Sequence, residues 1–179
     1  MNLITHHPVV ESLLNNWREA LGKDFQAYQN HVYRVINYCA AQQTLEERQL
    51  EQVAIAACFH DVGIWLDHTF DYLGPSCQRA NNYLVREGKS HWIDAVCGMI
   101  LEHHKVTAYQ GKEADIINVF RKADWIDVSM GTLRFGVAGR DIRAVRQAFP
   151  YVGFHRMLVQ LSARNLIRHP LRPLPMFHW

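Results

Sequence analysis

Apolar residues recur along this chain at spacings of three and four positions, which is the period of an amphipathic α-helix. In one such segment Tyr28, Val32, Val35 and Ile36 fall on a common face, together with His31. A sustained alternation of apolar and polar residues, the pattern of a half-buried strand, does not occur. The sequence therefore predicts an all-α fold, a compact bundle of about seven or eight helices.

Capping residues, prolines and glycines divide this pattern into eight predicted helices. Their predicted spans are 8–22, 24–43, 45–60, 75–87, 91–104, 113–130, 141–149 and 154–168. Thr44 and Glu47 have the spacing of a capping box for the third helix. The stretch 65–74 is predicted to be a loop or short helix, and the proline-rich tail after Leu171 is predicted to be extended.

The length of 179 residues favours a single domain over 1–179, with a core at 24–130 and C-terminal helices and tail at 139–179. Nineteen Lys and Arg against 17 Asp and Glu give a net charge of +2, so DNA or RNA is not an expected partner. The segment from Arg134 to Arg172 contains eight arginines and one acid, Asp141. This basic quarter is either a solvated face or a surface for an anionic partner.

Four cysteines lie about twenty residues apart without a CxxC pair, so a disulfide framework is not expected. No apolar run approaches the length of about 18 residues that a membrane span needs, and the N-terminus lacks a signal-peptide pattern. These features predict a cytoplasmic protein that does not enter a membrane. The aromatic tail, Met176 to Trp179, either packs against a second chain, which would make a homo-oligomer, or closes over its own bundle.

His60 and Asp61 adjoin at the end of the apolar run 53–59, where burying two titratable groups is costly unless something compensates. His31 and Asp124, on other predicted helices, complete a set of four nitrogen and oxygen ligands. Such a set suits Mn, Fe, Co, Ni or Zn better than Ca. Asp127, one helical turn later, is the rival of Asp124 as a ligand. The alternative without metal is a helical bundle whose buried histidines are hydrogen-bonded.

The His-Asp pair in the context Ala-Ala-Cys-Phe-His-Asp-Val-Gly-Ile, with His31 before it and Lys-Ala-Asp-Trp after it, resembles the HD-domain superfamily of metal-dependent phosphohydrolases. The resemblance covers roughly Phe25 to Ser129. It implies that His31, His60, Asp61 and Asp124 bind one divalent ion and that Asp61 is free to bridge to a second. It also implies hydrolysis of a small phosphate ester, in particular a nucleotide, by a metal-activated water. Asp61 or a nearby carboxylate is expected to take the proton of that water.

Some members of that superfamily bind a second ion through two further histidines. His103 and His104 differ by about 100° around a helix, so one of them is expected to face inward. His68, in the loop after the pair, is the other candidate for a second metal or for phosphate. His91 cannot share a metal with His103 or His104 unless the predicted helix breaks, because a continuous helix would place it roughly 18–20 Å from them.

Several members of that superfamily also have a proton-transferring acid soon after the His-Asp pair. Ile64 occupies the position three residues after Asp61, so Asp67 is the nearest substitute as a catalytic acid. Lys105 and Arg121 are candidates for binding substrate phosphate.

Two other functions are compatible with the same ligands. Some superfamily members with extra histidines hold two irons and carry out oxygen-dependent cleavage, and iron would bind the same donors. A non-catalytic regulatory or binding module would use the metal only to stabilise the fold.

Overall fold

The computed structural model describes residues 1–168, and all regular secondary structure in that range is helical. The eight longer helices are α1 (Pro8–Asn16), α2 (Phe25–Gln42), α3 (Glu47–Phe59), α4 (Leu73–Arg86), α5 (Ile93–Glu102), α6 (Ala114–Val128), α7 (Gly139–Ala148) and α8 (Phe154–Arg168). Single helical turns lie at Arg18–Leu21, Gly22–Asp24, Gly63–Leu66 and Ser90–Trp92. The predicted all-α class and number of helices are confirmed.

Helix α2 is the central element of the bundle. Ten consecutive residues, Asn30 to Cys39, are buried, and the helix packs against α3, α6, α7 and α8. A helix buried on every side has no solvent-facing stripe for its polar residues. The side chains of His31, Arg34 and Asn37 must therefore find their hydrogen-bond partners inside the protein.

Helix α3 carries the His-Asp pair into the core. Its N-terminus is a capping box of Glu46 and Gln49, so the predicted box of Thr44 and Glu47 was placed two residues too early. All side chains from Gln52 to Phe59 are buried, and several are alanines that allow α2 and α5 to pack closely. The helix ends at Phe59, and the pair follows directly.

Two predicted helices are shorter than expected. The first is interrupted at Trp17, whose ring packs edge-on against Phe59 at 4.9 Å between centroids, a tertiary contact that the local pattern does not encode. The fifth begins only at Ile93 and ends at Glu102, so His103 and His104 lie just beyond it. His91 lies in the preceding single turn and is exposed, as its exclusion from the site requires.

One continuous hydrophobic core runs through the described helices from Val10 to Phe154. Within residues 1–168, none of the helices combines the length and hydropathy that crossing a bilayer would need. The predicted extended tail and its aromatic end, residues 176–179, lie outside the described residues.

Candidate metal centre

Three helices bring the four predicted ligands to one point. The Nε2 atoms of His31 and His60 are 2.9 Å apart. Asp61 Oδ2 lies 3.6 Å from His31 Nε2 and 3.3 Å from His60 Nε2. Asp124 Oδ1 lies 3.6 Å and 3.8 Å from the same two nitrogens. All four residues are at most 5% exposed, so the donors form a compact and buried cluster.

The two imidazoles are oriented as metal ligands are. His60 Nδ1 lies 2.8 Å from the carbonyl oxygen of Ala57, which only accepts, so this nitrogen carries the proton. His31 Nδ1 lies 2.7 Å from Asp127 Oδ2 and donates to that carboxylate. In the neutral rings both Nε2 atoms therefore present lone pairs to each other. Two lone pairs at this distance repel unless a cation lies beside them, and a bound metal ion satisfies both.

Asp127 orients His31. Its carboxylate accepts hydrogen bonds from Arg34, Nε to Oδ1 at 2.6 Å and Nη2 to Oδ2 at 2.9 Å, while Arg34 Nη1 donates to the carbonyl of Phe149. Burial alone would raise the pKa of Asp127, but the hydrogen bond from His31 and the charge of Arg34 lower it. A carboxylate behind a histidine ligand fixes its tautomer and increases its basicity. The structure thus places Asp124 in the cluster and Asp127 behind it.

The pKa values of the cluster residues indicate that a bound cation would stabilise the cluster. Burial, with the charges of Asp61 and Asp127, raises the pKa of Asp124 to about 8 against the opposing effect of His103. Burial lowers the pKa of His31 to about 4, although Asp127 opposes that shift. In the metal-free protein the histidine is therefore neutral at pH 7, and ionising both facing carboxylates is costly. A divalent ion removes that cost.

The metal-free protein is expected to become less stable as the pH rises from about 6.5 to about 8. Above the unfolded-state pKa of Asp124 and below about 8, the native state holds a proton that the unfolded chain has lost, so stability falls with pH. The lowered pKa of His31 opposes this trend only up to its unfolded value of 6.5. Urea unfolding of chelator-treated protein at both pH values measures how steeply the free energy of unfolding falls with pH. Asp124→Asn, which lacks the titrating carboxyl, is the control, and an equal slope in both proteins would contradict the assignment.

A second group of donors shares Asp61 with the first. His103 is fully buried, and its Nε2 lies 3.5 Å from Asp61 Oδ1, while its Nδ1 donates to the carbonyl of Ile100 at 2.7 Å. Neither Asp61 Oδ1 nor His103 Nε2 has a hydrogen-bond partner. Asp61, His103 and His104 each offer a ligand atom within 4.8 Å of the others. The two carboxylate oxygens of Asp61 therefore face two adjoining groups, and the second could also hold an ion.

Asp67 and His68, the two candidate residues in the loop after Gly63, do not belong to the cluster of candidate ligands. His68 is exposed and adopts a left-handed backbone with φ of 51°, and Asp67 is exposed and accepts hydrogen bonds from Arg79 at 2.7 and 2.9 Å. The buried His103 takes the place expected for His68 in the second group. The prediction of Asp67 as a catalytic acid is corrected for the same reason: its carboxylate lies at the surface with a cationic partner.

Arg121 is buried, but it does not point at the cluster. Its Nη1 donates to the carbonyls of Lys105 and Val106 at 3.0 Å each, and its Nε donates to Asn118. It therefore fixes the segment after α5 rather than binding substrate. The Lys105 ammonium pairs with Glu102 at 3.1 Å and is partly exposed, so neither cation predicted to bind phosphate contacts the cluster in the described structure.

Sequence reasoning missed three residues around the cluster. Arg34 lies one turn after His31 on α2, a spacing that could have identified it as a neighbour. Phe154, on α8, covers the other side of His31, with ring centroids 4.1 Å apart and planes inclined by 18°. The Tyr72 hydroxyl lies 2.6 Å from His104 Nε2. No local pattern predicts the last two contacts, because they join segments distant in sequence.

Comparison of the chain with protein families, with curated proteins and with solved structures finds no match in any of the three.

Proposed function

We propose that this protein is a metal-dependent phosphohydrolase of the HD-domain type, acting on a small phosphate ester. The observation that supports the proposal is the pair of His Nε2 lone pairs held 2.9 Å apart beside two buried carboxylates. Imidazole and carboxylate donors together suit Mn, Fe, Co, Ni or Zn. Asp127 and the Ala57 carbonyl hold the two rings in the tautomer that binding requires.

The residues of the cluster have distinct roles in this proposal. A bound divalent ion would lower the pKa of a water molecule and polarise a phosphoryl oxygen. His31, His60, Asp61 and Asp124 would hold the ion. Asp61 offers its second oxygen, Oδ1, which has no hydrogen-bond partner and can accept the proton of the attacking water. Burial of the cluster excludes other water and strengthens each electrostatic interaction.

Metal content and phosphate release together test the proposal. Purified protein is analysed for bound metal by mass spectrometry, loaded with each of the five candidate ions, and assayed against a panel of nucleotides and sugar phosphates. We expect at least one ion per chain and release of inorganic phosphate from some of the panel. Protein that holds a metal but releases no phosphate from any compound would contradict it.

The geometry also favours a second candidate, a di-iron oxygenase. A carboxylate with one oxygen toward each of two donor groups, as in Asp61, is suited to bridging two ions. Two irons per chain with a mixed-valence spectroscopic signal would favour this candidate. A single Mn or Co ion per active chain would exclude it.

Replacing His103 by Ala is expected to lower the number of bound ions from two to one if both groups are occupied. His103 offers a ligand atom only to the second group, whereas His31, His60 and Asp124 are unchanged. Inductively coupled plasma mass spectrometry of wild type and variant gives the ratio. His91→Ala, at an exposed position, is the matched control. Loss of all metal in His103→Ala would show that the two groups are not separate.

The proposal includes a reducing, cytoplasmic location. The four cysteines are present as free thiols, and three of them are buried. Free buried thiols are typical of proteins in reducing compartments.

A further inference from the structure

Tyr72 lies beside the cluster of candidate ligands and has no role in the reaction proposed above. Its side chain is buried, at 2% exposure, and its hydroxyl oxygen lies 2.6 Å from His104 Nε2. His104 in turn belongs, with Asp61 and His103, to the second group of donors. If His104 donates its Nε2 proton to the phenol oxygen, the phenol's own proton is available to another acceptor.

The chain holds Tyr72 at this position through a close backbone contact. Gly63, two residues after Asp61, would place a Cβ only 3.0 Å from the Tyr72 carbonyl oxygen and 3.1 Å from its Cβ. The buried Ser76 hydroxyl accepts a hydrogen bond from the Gly63 amide at 3.0 Å, and the Ser76 amide donates to the Tyr72 carbonyl at 2.9 Å. The absence of a side chain at Gly63 therefore lets Tyr72 approach the His-Asp pair.

A phosphoryl group bound at this centre needs hydrogen-bond donors for its oxygens. Arg34, behind the cluster, is paired with Asp127. The two cations predicted to bind phosphate also have other partners: Arg121 donates to backbone carbonyls, and Lys105 pairs with Glu102. A neutral donor such as a phenol is therefore the kind of group that this site offers to an anionic oxygen.

We propose that Tyr72 is a substrate-contacting residue, whose hydroxyl, held by His104, donates a hydrogen bond to an oxygen of the phosphoryl group. This inference rests on the proposed function. It adds a specific role for a residue that the ligand set does not include, and it explains why Gly63 and Ser76 bring the N-terminus of α4 against the His-Asp pair.

The experiment measures binding of inorganic phosphate to manganese-loaded protein by isothermal titration calorimetry. In Tyr72→Phe we expect the dissociation constant to rise by about tenfold or more, because one hydrogen bond to a charged group is lost while the ring is kept. Metal content should stay unchanged. Gly63→Ala, which displaces Tyr72 without removing its hydroxyl, should also weaken phosphate binding. Tyr83→Phe, on the same helix with its ring against Phe59, is the matched control and should bind as wild type.

Unchanged phosphate affinity in Tyr72→Phe would overturn the inference, as would loss of metal in that variant, because Tyr72 would then act on the ligands. Wild-type protein that holds manganese but binds no phosphate would overturn it too. If Tyr72→Phe fails to fold, Gly63→Ala decides: wild-type affinity in that variant overturns the inference, and weaker binding supports it. Tyr72-dependent phosphate binding without hydrolysis of any ester would instead remove the proposed function and retain the contact.

Discussion

Replacing Arg34 by Leu is expected to lower the free energy of unfolding by about 3–5 kcal/mol, because it leaves the buried carboxylate of Asp127 without its cationic partner. Arg34 is fully buried, and it donates two hydrogen bonds to Asp127 and one to the carbonyl of Phe149. Its guanidinium also lies 4.3 Å from the centre of the Tyr151 ring. A leucine side chain fits in the space of Arg34, but it donates no hydrogen bond to Asp127 or to the carbonyl of Phe149.

Urea unfolding of chelator-treated protein, followed by circular dichroism, measures this loss without a contribution from bound metal. Arg86→Leu is the matched control, because Arg86 is exposed and pairs with the exposed Glu87, so a change within about 0.5 kcal/mol is expected there. A loss below about 1 kcal/mol in Arg34→Leu would mean that Asp127 finds another partner or is protonated in the native state.

The sequence predicts the all-α class well because the spacing of apolar residues indicates which face of each helix is buried. Helix α2 begins and ends within one residue of its predicted bounds. The errors arise where a tertiary contact overrides the local pattern. Trp17 interrupts the first helix to pack on Phe59, and helix α5 ends before His103, whose ring turns toward Asp61.

In the candidate site, too, the local apolar pattern predicts some residues, and tertiary contacts decide the others. His31 and Asp124 lie on apolar helical faces, and His60 and Asp61 directly follow an apolar helix. These four could be grouped because buried faces meet in the core. Asp67, His68 and Arg121 could not be placed by spacing. The direction of a long or loop-borne side chain depends on partners elsewhere. Asp67 pairs with Arg79 at the surface, and Arg121, although on helix α6, donates to the carbonyls of Lys105 and Val106.

Replacing Asp61 by Asn is expected to abolish hydrolysis and to weaken metal binding by more than about 100-fold, which exceeds the usual effect of changing a group behind a ligand. The substitution keeps the shape of the side chain but removes the charge that both donor groups share. It also removes the basic oxygen proposed to accept the proton of the attacking water.

Metal affinity is measured by competition with a chromophoric chelator, and activity by phosphate release from whichever ester the wild type hydrolyses. Asp67→Asn is the matched control: it changes the same chemical group six residues away, at an exposed position paired with Arg79, and should keep both properties. Wild-type metal affinity in Asp61→Asn would contradict the assignment of Asp61 as a ligand. Normal metal binding with lost turnover would assign it to proton transfer alone, and unfolding of the variant without any turnover in the wild type would point to a structural metal.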